Sequence, residues 1–494
     1  MKRKTVTAIA FTLILAGGWG PGAELPDKRP VATGGPSLAE QYAGPAARII
    51  SSALAGNDAY PKMLELCDDI GHRLSGSPEL EQAIDWAVAT MKADGQENTH
   101  RELVMVPKWV RGRESATMVA PTRRPLAMLG LGMSVGTPPG GITAPVVCVR
   151  DEKELEALGD AVKGKIVLFN NPMPPYDLEE GAHYGTTVRF RGKGPRIAGA
   201  RGALACLVRA VTAHSLRSPH TGATDYDDAK VKIPAAAIST EDAEMISRLL
   251  ARGKQVKVRL NMEARSEGMV PSANAIGELR GREAPDEVVV IGGHIDSWDV
   301  GQGAMDDAGG CVIAMEAINV LRKLDMIPRR TIRVVLFTNE ENGLNGGRQY
   351  AEDHAAELAN HVAAIESDSG IFAPKGFSLH CRDEHRQAIA VEQLRSIAKL
   401  LSPLGADRVR EGYSGADVGQ MHDSDAVLMG FLVEGSKYFN YHHSHADTLD
   451  KIDREELSQC VATMAVMAYV LADMPQRIGE TSPRTVERPT RSSQ

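Results

Sequence analysis

The chain is expected to fold as an α/β protein built on a mostly parallel central sheet flanked by helices, with a second module inserted into it. Two observations carry that expectation. From Asn274 onward apolar runs of strand length alternate with helical patterns, and between about Leu126 and Glu263 the texture changes to short runs separated by long loops. Alternation of this kind favours a parallel sheet covered by helices on both faces. At 494 residues the chain also exceeds the usual size of one domain, so an added module is the natural organisation.

The opening stretch, MKRKTVTAIAFTLILAGGWGPGA, has the three parts of a secretory signal at 1–23. Lys2, Arg3 and Lys4 form a charged start, Thr5 to Ala16 an apolar middle, and small residues follow. The apolar part is short for a bilayer span, which favours cleavage and a mature protein without a membrane segment, secreted or periplasmic. The first part of the main domain is expected at 38–125. Within it Ile84, Ala87, Val88 and Met91 recur at helical spacing, behind Ser77 as a cap and Pro78 in the first turn, and Gly95 follows.

The inserted module is expected at 126–265. APVVCV, KGKIVLF and GALACLVRAV are its apolar runs, and a polar, Pro/Gly-rich loop separates them from Asn170 to Pro195. His, Cys and carboxylates do not cluster there in a metal pattern, which points to a covering or specificity role. The second part of the main domain is expected at 266–476. EVVVIGGHIDS reads as a strand, and GGCVIAMEAINVLRKL as a helix with Ala314, Ala317, Ile318, Leu321 and Leu324 on one face. IRVVLF, HVAAIESDSG and AVLMGFLVEG supply further strands, and EELSQCVATMAVMAYVLADM a last helix. The tail 477–494 is polar and expected to be disordered.

Net charge is −8 without a basic block, which argues against a nucleic-acid partner. The six cysteines are scattered, form no CxxC pair and read as buried thiols.

Each buried run ends in side chains able to bind metal. EVVVIGG leads to His294 and Asp296, IRVVLFTN to Glu340 and Glu341, HVAAI to Glu366 and Asp368, and GFLVEG to HHSHADT; Asp306 and Asp307 open the intervening helix. In an open parallel sheet, ligands bind beyond the carboxyl ends of the strands. Carboxylates gathered at one edge repel one another unless a cation sits among them. Nitrogen and oxygen donors without thiolates suit zinc, with cobalt or manganese as substitutes. In HxD, residues two apart on a strand face the same side, so Asp296 is placed to accept a hydrogen bond from the far ring nitrogen of His294; a simple capping role is the alternative.

GGHIDSWDVGQGAMDDAGG, FTNEENGLNGG, ESDSG and YHHSHADT resemble, in order and approximate separation, the motifs of the di-zinc exopeptidases, a family of leucyl aminopeptidases and glutamate carboxypeptidases. The likeness runs from about Met63 to Met474. It implies the zinc exopeptidase fold and two zinc ions per chain: His294 and Asp368 on one, Glu341 and His443 on the other, and Asp306 bridging both. It further implies Glu340 as general base, Asp307 behind the ligands, and Tyr413 near the reacting carbonyl oxygen. His442 and His445 are then left to loop packing or substrate. The inserted stretch is similar to a protease-associated domain, and the family implies a homodimer.

The activity so implied is hydrolysis of dipeptides or short peptides. Cleavage of longer peptides by an aminopeptidase is one alternative. A glutaminyl cyclase-like protein or a non-catalytic, receptor-like protein on the same fold is another, and the full set of ligands and base disfavours both. Beside the motifs, no cluster of Arg or Lys declares a pocket for a substrate carboxylate.

Overall fold

The computed structural model describes residues 36–482 except 179 and 228. The signal expected at 1–23 lies outside them. Across the main sheet the strands run Glu97–Val110, Arg265–Leu279, Arg330–Phe337, Ala284–His294, His361–Glu366, Val427–Val433, Pro374–His380 and Arg408–Glu411. The four central strands, from Arg330–Phe337 to Val427–Val433, are mutually parallel. On one side the sheet continues antiparallel, on the other through an antiparallel pair and then a parallel one. The sheet is therefore mixed, with a parallel centre, where a mostly parallel one was expected. The reason lies in the insertion: Glu97–Val110 and Arg265–Leu279 form a long antiparallel ribbon, with Val110 opposite Arg265, and the inserted chain leaves and returns through its end.

Continuous apolar runs occur where both faces of a strand are covered. Val289 and Ile291 enter one core with the helices Gly309–Lys323 and Arg454–Asp473, while Val288 and Val290 enter another with Phe337 and Tyr350. Successive side chains point to opposite faces, so both sets must be apolar. The helix Pro78–Ala93 forms as its sequence indicates, with the Ser77 hydroxyl accepting from the Leu80 amide at 3.1 Å and Ile84, Ala87 and Met91 buried. A cap of this kind contributes about 1 kcal/mol.

The inserted chain builds a second sheet in the order Arg124–Leu126, Glu114–Ala120, Lys257–Met262, Ile142–Val149, Ile166–Phe169, Ala205–Arg209, Ala235–Ile238 and Met128–Gly130. It takes in Glu114–Ala120, ahead of the boundary expected at 126, because that strand pairs with Lys257–Met262 as the chain returns. The module is seated on the main part through Trp298, whose ring belongs to the module's core and lies where a Cβ on Gly132 would fall, 2.0 Å from it.

The tail is still packed at its start. Arg477 donates to Glu287 at 2.9 Å and to the Ala359 carbonyl at 2.8 Å, and Ile478 is fully buried. A half-buried glutamate and a loop carbonyl hold these residues, which composition alone does not reveal. All six cysteines are free thiols. Among the described residues, no helix is long and apolar enough to cross a membrane.

Candidate metal centre

Because the four central strands are parallel, their carboxyl ends lie along one edge. His294 is the last residue of its strand, Glu340 and Glu341 follow Phe337 by three and four residues, and Asp368 follows Glu366 by two. The short helix Tyr438–Tyr441 delivers His442 and His443. Asp306 lies in the turn Ala304–Ala308, where extended backbone at Asp306 and Asp307 interrupts the helix.

The carboxylate of Asp306 divides its oxygens. Oδ1 is 3.2 Å from His294 Nε2, which is also 3.6 Å from Asp368 Oδ1. Oδ2 is 3.2 Å from His443 Nε2, which lies 2.9 Å from Glu341 Oε2. Two ligand clusters thus share one residue: His294, Asp306 and Asp368 on one side, and Asp306 with His442 and His443 on the other. The two adjacent histidines are stacked, ring centroids 3.5 Å apart. His442 Nε2 is 3.8 Å from Asp306 and has no contact with Glu341, so His443 is the better placed. His445 is exposed and turned away from the cavity.

Behind these groups stands a layer of hydrogen bonds. His294 Nδ1 meets the backbone oxygen of Asp296 at 3.0 Å, whereas the Asp296 carboxylate is 3.7 Å away. That carboxylate accepts instead from the amides of Glu340 and Glu341, at 3.0 and 3.4 Å, and from the Ser75 hydroxyl at 3.1 Å. Asp296 therefore orients the two glutamates rather than the histidine ring, because the chain after His294 turns its carbonyl toward the ring first. Asp307 accepts from the His294 and Gly310 amides. A Cβ on Gly310 would lie 1.9 Å from the Ser367 oxygen, so only glycine permits this approach.

Three further groups hold the backbone around the site. Asp447 accepts from the amides of Met305 and Asp306 at 2.6 and 3.2 Å. Buried Arg73 donates to the carbonyls of Ile295, Gln302 and Gly303. Glu366 holds the loop after Tyr413, accepting from the amides of Ala416 and Val418 at 3.0 and 2.7 Å. Glu366 stands among the acids that end a strand, whereas the roles of Arg73 and Asp447 gave no signal of their own, since only folding brings their partners near.

Electrostatics show what the cluster requires. Burial, then the charge of Asp306, pushes the Glu341 carboxyl up to about 7. Burial and the charges of Asp368, Glu341 and Asp417 raise Glu340 well above the usual carboxylate range. Burial opposes protonation of His443, yet Glu341 and Asp306 outweigh it and carry the imidazole to about 9. Burial likewise disfavours the Asp306 anion, but the imidazoles of His294 and His443 beside it hold that carboxyl well below its usual range. The acids therefore demand positive charge, which protons on the histidines supply among the protein's own groups. Divalent cations replace those protons where ligands must be deprotonated to bind. His294 Nε2 and Glu341 Oε1 are buried without a hydrogen-bond partner, and a metal ligand leaves atoms of this kind. The donor set fits zinc.

The ligand groups open on a cavity of about 670 Å³ lined by Glu340, Glu341, Asp368 and Tyr413 from the main part and by Tyr184 and Arg191 from the inserted module. Tyr413 is 69% exposed as a residue and lines this space. The module also grips the histidine loop: the Thr221 amide donates to the His443 carbonyl at 2.8 Å, and His220 Nδ1 meets the His442 carbonyl at 2.7 Å.

Residues 274–468 match the profile described as peptidase family M28. Carboxypeptidase Q of Bos taurus is 41% identical over 86% of this chain and 87% of the relative. Its Homo sapiens counterpart is 40% identical over 87% and 89%. The chain belongs to peptidase family M28. A crystal structure of a peptidase M28 precursor from Shewanella amazonensis, 33% identical, superimposes with a TM-score of 0.84 over 90% of this chain and all of that one. The zinc exopeptidase α/β fold is thereby established, and with the two ligand clusters the chain is a di-zinc metalloexopeptidase.

Proposed function

We propose that this M28 enzyme is an exported peptidase that hydrolyses dipeptides or short peptides. The observation that carries the reading is the divided carboxylate of Asp306, one oxygen toward each cluster. His294 and Asp368 would hold one zinc, Glu341 and His443 the other, and Asp306 both. When bound, the two ions supply Lewis-acid polarisation of a carbonyl and make a water molecule acidic enough to ionise near neutral pH.

Glu340 is the general base. Its carboxylate lines the cavity beside the ligands, and burial with the surrounding acids raises its proton affinity well above that of an ordinary carboxylate, as a group that must accept a proton requires. It takes the proton from the attacking water and delivers it to the leaving amine. The Tyr413 hydroxyl donates to the oxygen that gains charge on the reacting carbonyl. Asp296 keeps Glu340 and Glu341 in register through their amides, and Asp307 does the same for His294. The inserted module is read as a protease-associated domain covering the site.

The relatives named carboxypeptidase Q support an exopeptidase. The adjoining cavity of about 860 Å³, which shares Ala223, Asn342 and Gly343 with the site, favours a second reading, in which longer peptides are trimmed from the amino end. Profiling purified enzyme of known zinc content on dipeptides, amino-blocked dipeptides and decapeptides separates them. Faster turnover of decapeptides would overturn the short-substrate reading. Export rests on residues 1–23 and is checked by fractionation and amino-terminal sequencing; the homodimer expected from the family is checked by light scattering.

A further inference from the structure

The two histidines assigned to zinc are oriented by different parts of the chain. His294 meets, through Nδ1, the carbonyl of Asp296, in the direct continuation of its own strand. For His443 the groups in the corresponding place belong to the inserted module. The Thr221 amide donates to the His443 carbonyl at 2.8 Å, and the Thr221 carbonyl stands 3.4 Å from His443 Nδ1. One residue earlier on both segments, His220 Nδ1 donates to the His442 carbonyl at 2.7 Å. His220 and Thr221 are both buried.

This grip answers two needs of His443. Its backbone is left-handed, with φ 60°, a conformation that a β-carbon disfavours and that persists where neighbours hold it. Its ring must also present Nε2 to the ligand cluster with the proton on Nδ1, and that proton needs an acceptor. Arg191 Nη1 lies 3.2 Å from Nδ1, yet a guanidinium has no lone pair to accept with, so the acceptor is the Thr221 carbonyl. The clamp is anchored within the module. Thr221 Oγ1 donates to the Gly130 carbonyl at 2.8 Å, and the Gly222 carbonyl accepts from the Gly132 amide at 3.0 Å. Trp298, seated at Gly132, lies edge-on to the His443 ring with centroids 5.6 Å apart. Where the chain enters the module, Arg111 pairs with Asp299 of the main part through two hydrogen bonds of 2.8 and 2.5 Å.

We propose that the inserted module completes one of the two metal sites. Thr221 and His220 are positioning residues that hold His443 in its ligating pose, so zinc at Glu341 and His443 is bound tightly only while the module is docked. Zinc at His294 and Asp368 is held by the main part without that help. The proposal rests on the ligand assignment above and gives the module a part in binding metal besides covering the site.

The test measures zinc affinity by competition with a chelator, in two backgrounds that each keep one site. Asp368→Ala leaves the zinc at Glu341 and His443, and Glu341→Ala leaves the zinc at His294 and Asp368. Adding His220→Ala should weaken the first about 10–100-fold, the range for a lost partner behind a metal ligand, and leave the second unchanged. Thr221→Val, close in shape to the native residue, should weaken the first about threefold. His220→Asn keeps an N–H donor near the Nδ1 position and should restore most of the affinity. Arg209→Met, elsewhere in the module, should change neither site. Equal loss at both sites in His220→Ala would overturn the clamp, as would unchanged affinity at Glu341 and His443, or a His220→Asn variant no better than His220→Ala. If His220→Ala does not fold by circular dichroism, Thr221→Val decides: selective weakening supports the clamp and unchanged affinity overturns it. A wild-type enzyme that binds a single zinc, or a Glu341→Ala variant that keeps two, would overturn the ligand assignment itself.

Discussion

The two eight-stranded sheets share a design and differ in what stands at their strand ends. Each has four parallel strands at its centre. In the second sheet the charge that ends a strand is answered locally: Arg209 meets Asn170 at 3.1 Å and pairs with Glu244. In the main sheet the strand ends present His294, Glu340, Glu341, Glu366 and Asp368 to one another, and among the described residues no lysine or arginine forms an ion pair with these acids. Paired charges stabilise their own sheet, whereas converging like charges require an ion from outside, and that difference separates a scaffold from a catalytic centre on similar architecture.

The strongest way to break the contrast is to remove the shared ligand. Asp306→Ala should bring zinc, measured by elemental analysis, well below two per chain and abolish turnover; a full complement would exclude the bridging role. Glu340→Gln should leave zinc bound and reduce turnover by about two to four orders of magnitude, as expected for a lost general base. Near-normal activity in that variant would remove Glu340 from the mechanism. A smaller effect is expected behind the ligands: Glu366→Ala frees the amides of Ala416 and Val418, loosening the loop that carries Tyr413, and kcat should fall about tenfold with zinc retained. An unchanged kcat would show that Tyr413 needs no such support. The smallest functional effect belongs to the second sheet. Arg209→Met should lower unfolding stability in urea by about 1–2 kcal/mol while zinc content and kcat stay at wild-type levels. Loss of zinc there would mean that the two sheets are not separable in the way their charges suggest.

Much of this was legible along the chain. A strand buried on both faces must be apolar throughout, so EVVVIGG and IRVVLF announce themselves, and abrupt charges after them mark the edge where a ligand binds. Periodicity also placed the helix after Ser77 and the last buried helix. The parallel character of the sheet was overstated, because the antiparallel ribbon at its edge joins segments on either side of an insertion of more than a hundred residues. Arg477 was assigned to a disordered tail because its partner, Glu287, is remote in sequence.

The sequence by itself determined the fold class, the edge that bears the chemistry and the residue types able to bind zinc, since these follow from hydrophobic patterning and from donor chemistry that is local to each motif. Only the tertiary structure decided how the parts cooperate. It turned Asp296 to the glutamate amides, set Asp447 under Asp306, and brought Tyr184 and Arg191 from the inserted module to the same cavity as Glu340. Hydrogen bonds and ion pairs act over a few ångströms, and residues so near in space can stand more than a hundred apart in the chain.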